Sequence, residues 1–336
     1  MSMGEEARVL GPAQSGLPAP EALVAAIASA TPGQLRSLVP VAGQVGEAMK
    51  SAGAARYLGG GLGRMVAPLL AASAQPRLGP MHAHLALTLL AFSVDSPEEW
   101  AQAVFDDLVL PWMDAAAAAG QFNTAFALET MAYNAHVKRR ESQEWFKRTA
   151  GRWLVPLAAH ARAARGRFAP PHERWRPEAT RRIAFFLHNA TLLAHVQVLA
   201  ETLEGVHAAG GAPGYAFTVF AFSGRNAVLE ARLAACGVRL RYLEQPGDPG
   251  LLERLVRLQG ILREENFIAC IWVTLVTLMG PAFAFRIAPL QVWWAMKYHA
   301  CDVPEIDARL ALENVVLRKR LEGHDWLTIG NSSARW

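Results

Sequence analysis

Two short stretches of this chain carry residue types that could do chemistry. The first runs Leu187-His188-Asn189-Ala190-Thr191-Leu192-Leu193-Ala194-His195 and sets two histidines seven residues apart. Imidazole titrates near neutral pH, so His188 suits a proton acceptor, a proton donor or a group that orients a ligand. A strand-end histidine satisfied by a backbone carbonyl is the plainer alternative. His195, about two turns further on, reads first as a residue on a helix face, and Asn189 adds a polar side chain beside His188. The second stretch is Gln291 to Asp302, QVWWAMKYHACD. Trp294 ends an apolar run there, and Lys297, Tyr298 and His299 follow it. Aromatic rings stack on sugar faces, and a lysine neutralises phosphate charge. A merely structural loop stays open as the other reading. His299, Cys301 and Asp302 lie close together, but their spacing matches no metal cage, so no metal is expected.

These groups need elements to position them. From Arg182 the sequence alternates between short apolar runs and helical patterns. Strands are expected at Ile183–His188, Tyr215–Phe222, Val238–Leu243, Phe267–Thr277 and Leu290–Trp294. Helices are expected at Leu192–Ala209, from an Asn226 cap to Cys236, at Leu251–Glu264 and at Pro281–Ile287. Gly237 supplies the stop after Cys236. Alternation of this kind with apolar strands makes a doubly wound parallel sheet, the Rossmann-like α/β class. Ligands of such sheets sit at the carboxyl ends of the strands. That rule selects the loops after His188, after Thr277 and after Trp294, which makes Thr277 a further candidate. No G-x-G-x-x-G follows the first strand, which speaks against an ordinary dinucleotide site.

Ahead of this region the pattern is helical. Residues 20–164 carry apolar side chains at three and four spacing, with turn signals such as Gly59-Gly60-Gly61 and Gly79-Pro80 between segments. An all-α domain is expected there, behind a disordered start over 1–19. The proline- and arginine-rich stretch 165–181 reads as a linker. The sheet domain is expected over 182–302, and a C-terminal helix (about Glu305–Glu322) and tail over 303–336.

The bulk numbers agree with two domains. The chain has 336 residues, 52% of them hydrophobic and 18% charged, enough for two cores of ordinary size. The net charge is +4, with an arginine-rich run between Lys138 and Arg182. No aromatic base-stacking signature accompanies that run, so nucleic acid is not an expected partner. The three cysteines are widely spaced and no signal peptide is visible, so a reduced, cytoplasmic setting is expected. Phe267 to Phe285 is free of charge over 19 residues. Gly280-Pro281 interrupts it and its first part is β-branched and aromatic, so it reads as a buried strand followed by a short helix, not a membrane span.

One segment resembles a known family. FIACIWVTLVTLMGPAFAFRIAPLQVWWAMKYH is similar to a stretch of the O-GlcNAc transferases and the related bacterial adhesin glycosyltransferases. There a buried strand and short helix lead into an R-x-A-P-x-Q element, matched here by Arg286, Ala288, Pro289 and Gln291. His188 and Asn189 on the first-strand loop and the preceding helical domain fit the same resemblance. It implies the acceptor-side half of a GT-B glycosyltransferase, with a nucleotide sugar as donor and a protein or small molecule as acceptor. No resident cofactor or metal is implied. His188 would be the catalytic group; Asn189, His195, Thr277, Trp294, Lys297, Tyr298 and His299 would contact substrate. The donor-binding domain has no counterpart in these residues, so it is expected from a partner chain or a further segment. A non-catalytic acceptor-recognition subunit, alone or as a homo-oligomer, is the alternative reading, and a different doubly wound enzyme is a third.

Overall fold

The computed structural model describes residues 20–31, 109–138, 143–168, 181–243, 250–273, 277–296, 303–312 and 325–329, with scattered positions between 34 and 44, Leu85 and Cys301. The chain divides into two compact units, Met1–Ser142 and Gln143–Trp336.

In the first unit every described element is a helix: α1 (Pro20–Ser29), α2 (Leu110–Ala118) and α3 (Phe122–Lys138). The expected helical segments over 45–84 and 86–108, and the start expected to be disordered over 1–19, lie outside the described residues. Helix α3 follows α2 after a short turn, which Gly120 closes with a left-handed φ of +71°. Their buried positions include Leu110, Met113, Ala116, Ala125 and Leu128.

The second unit opens with α4 (Gln143–Phe168), which the sequence assigned to the helical domain. The division falls ahead of this helix because its apolar face, Leu154, Leu157, Ala158, Ala161 and Ala164, is buried in the sheet unit. The rest of the unit alternates: β1 (Arg181–Leu187), α5 (Ala194–Ala208), β2 (Tyr215–Ala221), α6 (Ala227–Ala235), β3 (Arg239–Tyr242), α7 (Leu251–Glu264), β4 (Phe267–Trp272), α8 (Met279–Phe285), β5 (Leu290–Ala295), β6 (Ala308–Leu312) and β7 (Leu327–Ile329). The seven strands form one sheet in the order β3-β2-β1-β4-β5-β6-β7. All pairings are parallel. The fold is therefore mixed α/β with a Rossmann-like sheet, as the strand and helix alternation predicts.

Burial explains why these runs become strands. Phe185, Phe186 and Leu187 of β1 are all buried, as are Val219, Phe220 and Ala221 of β2, which is how a sheet covered on both faces reads. One face carries Phe185, Leu187, Val219, Ala221 and Trp294 against Val196, Leu199 and Leu203 of α5 and Leu229 and Leu233 of α6. The other face carries an aromatic row. Phe186 stacks on Trp272 at 4.6 Å and on Phe220 at 5.4 Å, and Phe283 meets Trp272 edge-on at 6.3 Å.

The charge-free run from Phe267 to Phe285 resolves into β4 and α8, as expected. Among the described residues no helix is long and apolar enough to cross a membrane. The C-terminal segment corrects the sequence reading. Ala308–Leu312 is a strand, not the start of a helix: it pairs with β5 from Val292↔Ala308 to Ala295↔Ala311, and β7 extends the sheet further. Ala, Arg and Leu favour helix locally, but an open ladder on β5 outweighs a preference of tenths of a kcal/mol per residue. Residues 313–324 lie outside the described residues.

Candidate functional site

Strand order places the candidate site. The chain runs outward from β1 to β3 on one side, then returns to lay β4 against the other side of β1. At such a reversal the connections leave the two central strands in opposite directions and open a crevice at their carboxyl ends. Residues 188–193 leave β1 there, and Val273, Thr277 and Leu278 are the described residues between β4 and the helix that follows it.

The β1 loop is held by the loop that follows β2. Phe222 donates its N–H to the Leu187 carbonyl at 3.1 Å, and Ala190 donates to the Ser223 carbonyl at 3.0 Å. The Ser223 hydroxyl donates to the His188 carbonyl at 2.9 Å. Asn189 folds back on its own turn, its Oδ1 accepting from the Thr191 N–H at 2.7 Å and the Thr191 hydroxyl at 2.5 Å. This is the local bond that makes asparagine a turn residue. His188 sits at the loop's start, exposed by area, yet the protein around it lowers its imidazole below the usual histidine value by desolvation. The ring is neutral at neutral pH and so able to accept a proton.

The next part of the carboxyl edge is closed by its own contacts. Asn226 caps α6, its Oδ1 accepting from the Leu229 N–H at 3.0 Å. The Tyr242 hydroxyl accepts from the Asn226 N–H at 3.2 Å and donates to Glu230 at 2.6 Å. The Arg225 guanidinium lies 4.9 Å from the Tyr242 ring centre. The Asn226 cap was legible in the sequence. Ser223, Arg225, Glu230 and Tyr242 were not, since their roles depend on loops that the chain brings together from separate strands.

The other expected residues are spread differently. His195 is the second residue of α5 and half-buried. Thr277 is half-buried in the turn before α8, on the loop leaving β4. Trp294 is 2% exposed and belongs to the core on the α5 face, its indole N–H buried without a hydrogen-bond partner. Lys297, Tyr298 and His299 lie outside the described residues. The loops of His188, Asn189 and Thr277 thus flank the crevice, while Trp294 stands within the sheet. Among the described residues no group of His, Cys, Asp or Glu could hold a metal ion.

The R-x-A-P-x-Q element lies elsewhere. It joins α8 to the amino end of β5, across the sheet from the crevice. Arg286 has a left-handed φ of +63° at the end of α8. Its guanidinium donates to the Pro289 carbonyl at 2.7 Å, the Glu305 carbonyl at 3.0 Å and Asp307 at 2.9 Å. Gln291, fully buried, donates to the carbonyls of Phe283 at 2.9 Å and Glu305 at 3.1 Å, and accepts from the Ile287 N–H at 3.0 Å. Every polar atom of that side chain has work inside the fold. Arg162 of α4 pairs with Glu305 through both its Nε and a 2.8 Å bond to Oε2. The element is a latch that fastens α4, α8, β5 and β6.

No family model matches the chain, and no curated protein matches it significantly. Among solved structures it is similar to a mutant of the Thermobaculum terrenum O-GlcNAc transferase, at 16% identity and a TM-score of 0.38. The similarity covers 88% of this chain and 54% of that one, so the chain spans about half the length of that enzyme. It is also similar to the tetrameric eIF2B-beta2-delta2 complex from C. thermophilum, at 10% identity, a TM-score of 0.23 and coverage of 84% and 83%. Scores this low carry no argument about what the chain does.

Proposed function

We propose that the sheet unit is the acceptor-side half of a glycosyltransferase-like protein that moves a sugar from a nucleotide donor to a protein or small acceptor. The observation that carries this reading is the placement of His188. It stands at the carboxyl end of a central strand, beside the reversal of strand order, with an imidazole kept neutral by its surroundings. The R-x-A-P-x-Q resemblance in the sequence supports the same class.

In this reading His188 takes the proton of an acceptor hydroxyl. The acceptor oxygen bonds to the anomeric carbon while the bond from that carbon to the diphosphate breaks, and the diphosphate leaves with its electron pair. Asn189 and Thr277 stand on the two loops that would border the acceptor. The donor-binding half would come from another segment or a partner chain, and the setting would be cytoplasmic. Incubation of the full chain with nucleotide sugars, reading hydrolysis or transfer, tests the proposal. Neither turnover nor binding at millimolar donor would overturn it for the chain acting alone.

One observation favours a second reading, a non-catalytic acceptor-recognition subunit. Leu193 and Val228 are 51% and 58% exposed at the starts of α5 and α6, both on the carboxyl edge. Apolar groups so placed suit a covering partner, whether another polypeptide or a second copy. Sizing chromatography separates the cases: a clean monomer at high concentration counts against a second copy of this chain.

A further inference from the structure

The loop after β2 does more than continue the ladder. Gly224 lies in it with a left-handed φ of +69°. A Cβ built on Gly224 would stand 2.4 Å from the Asn189 Oδ1, 3.0 Å from its Cγ and 3.1 Å from its Nδ2. Real carbon atoms do not approach an oxygen so closely, and the Asn189 amide has no slack to retreat. Its Oδ1 is already committed to the Thr191 N–H and hydroxyl.

We infer that Gly224 is a positioning residue for the β1 loop: its bare Cα is what lets the β2 loop lie against Asn189 and so fix the backbone that carries His188. Three bonds on either side of the contact act on the same backbone, from the Phe222 and Ala190 N–H groups and the Ser223 hydroxyl. A side chain at 224 has to push the Asn189 amide away, break the Thr191 turn and shift the peptide that begins at His188. What this positioning serves rests on the catalytic reading of His188 given above; the contact itself does not.

Gly237 supplies the control. It has a φ of +71°, but a Cβ there would meet nothing within 4 Å. Gly224→Ala and Gly237→Ala therefore carry the same kind of backbone strain, and only the first adds a clash. The experiment is a pH titration of the histidine rings by heteronuclear NMR in the full chain, with turnover of UDP-N-acetylglucosamine measured on the same samples. In Gly224→Ala the His188 midpoint is expected to rise towards the usual histidine value, as the displaced loop gains water. Gly237→Ala is expected to leave it in place. Should Gly224→Ala not fold, Asn189→Ala, which removes the same anchor, is expected to give the same rise. An unmoved His188 in Gly224→Ala, or in Asn189→Ala where that variant stands in, would overturn the inference. A moved His188 with no turnover in any variant, wild type included, would instead count against catalysis by this chain alone and leave the positioning role standing.

Discussion

Gln291 and Asp307 hold each other by two bonds between neighbouring strands: the Gln291 N–H donates to the Asp307 carboxylate at 2.7 Å, and the Asp307 N–H donates to the Gln291 carbonyl at 2.9 Å. The same carboxylate receives Arg286 at 2.9 Å. One aspartate therefore ties together the amino ends of β5 and β6 and anchors the left-handed residue at the end of α8.

Removing that centre is expected to be costly. Gln291→Ala leaves the buried Ile287 N–H without its partner and takes one of two donors from the carbonyls of Phe283 and Glu305, each of which keeps a bond from Arg286. A loss of about 1–3 kcal/mol is expected, from a buried donor left unsatisfied. Urea unfolding of the full chain reads it, and a loss within error of zero would refute the latch.

Gly280 and Leu154 make a second close contact. A Cβ at 280 would lie 1.9 Å from the Leu154 Cδ1, so α4 and α8 meet with no room between them. Gly280→Ala is expected to destabilise by about 1–3 kcal/mol through overpacking. Leu154→Ala makes room for the new methyl. The double variant should therefore lose less than the two single losses added, which a double-mutant cycle measures.

Glu129 of α3 is 4% exposed, and its Oε2 has no hydrogen-bond partner. Burial raises its carboxyl well above the ordinary value of 4.5. The folded protein then keeps the proton after the unfolded chain has released it, so stability falls as pH rises from the unfolded value to the raised one. Glu129→Gln removes that dependence. Thermal melts across this pH window should show a flatter profile for the variant; parallel profiles would count against a buried neutral acid.

His188 acts only as a neutral base in the proposed reaction. Its midpoint lies below 6.5, so the rate is expected to hold as pH falls to that value and to decline only below it. His188→Ala is expected to lower kcat by roughly a hundred- to ten-thousandfold, the usual worth of a positioned base. Activity that survives the substitution would remove His188 from the mechanism.

The strands were legible because parallel, doubly covered strands are written as short uninterrupted apolar runs, and Phe185-Phe186-Leu187 and Val219-Phe220-Ala221 are such runs. Ala308–Leu312 was not, because its letters suit a helix and only the pairing with Val292 through Ala295 makes it a strand. Trp294 looked like a site residue because it closes an apolar run, yet side-chain direction alternates along a strand and turns it into the core. The clasp between Asn189 and Gly224 had no local signal at all. It arises where two loops 35 residues apart in their paired members, His188 and Ser223, are laid side by side by the register of β1 on β2.

The strand order also sets a sequence of events for the growing chain. The centre of the sheet is the β1–β4 pair, which joins Arg182 to Phe267 across the whole β2–β3 half. That half can build itself from neighbours as β1, α5, β2, α6 and β3 emerge. β4 must then travel back past two finished strands to reach the open side of β1. Long-range closure of this kind is slow relative to local pairing. Until it occurs, the Phe186 face is uncovered by Trp272, and the carboxyl-edge crevice does not yet have its second wall.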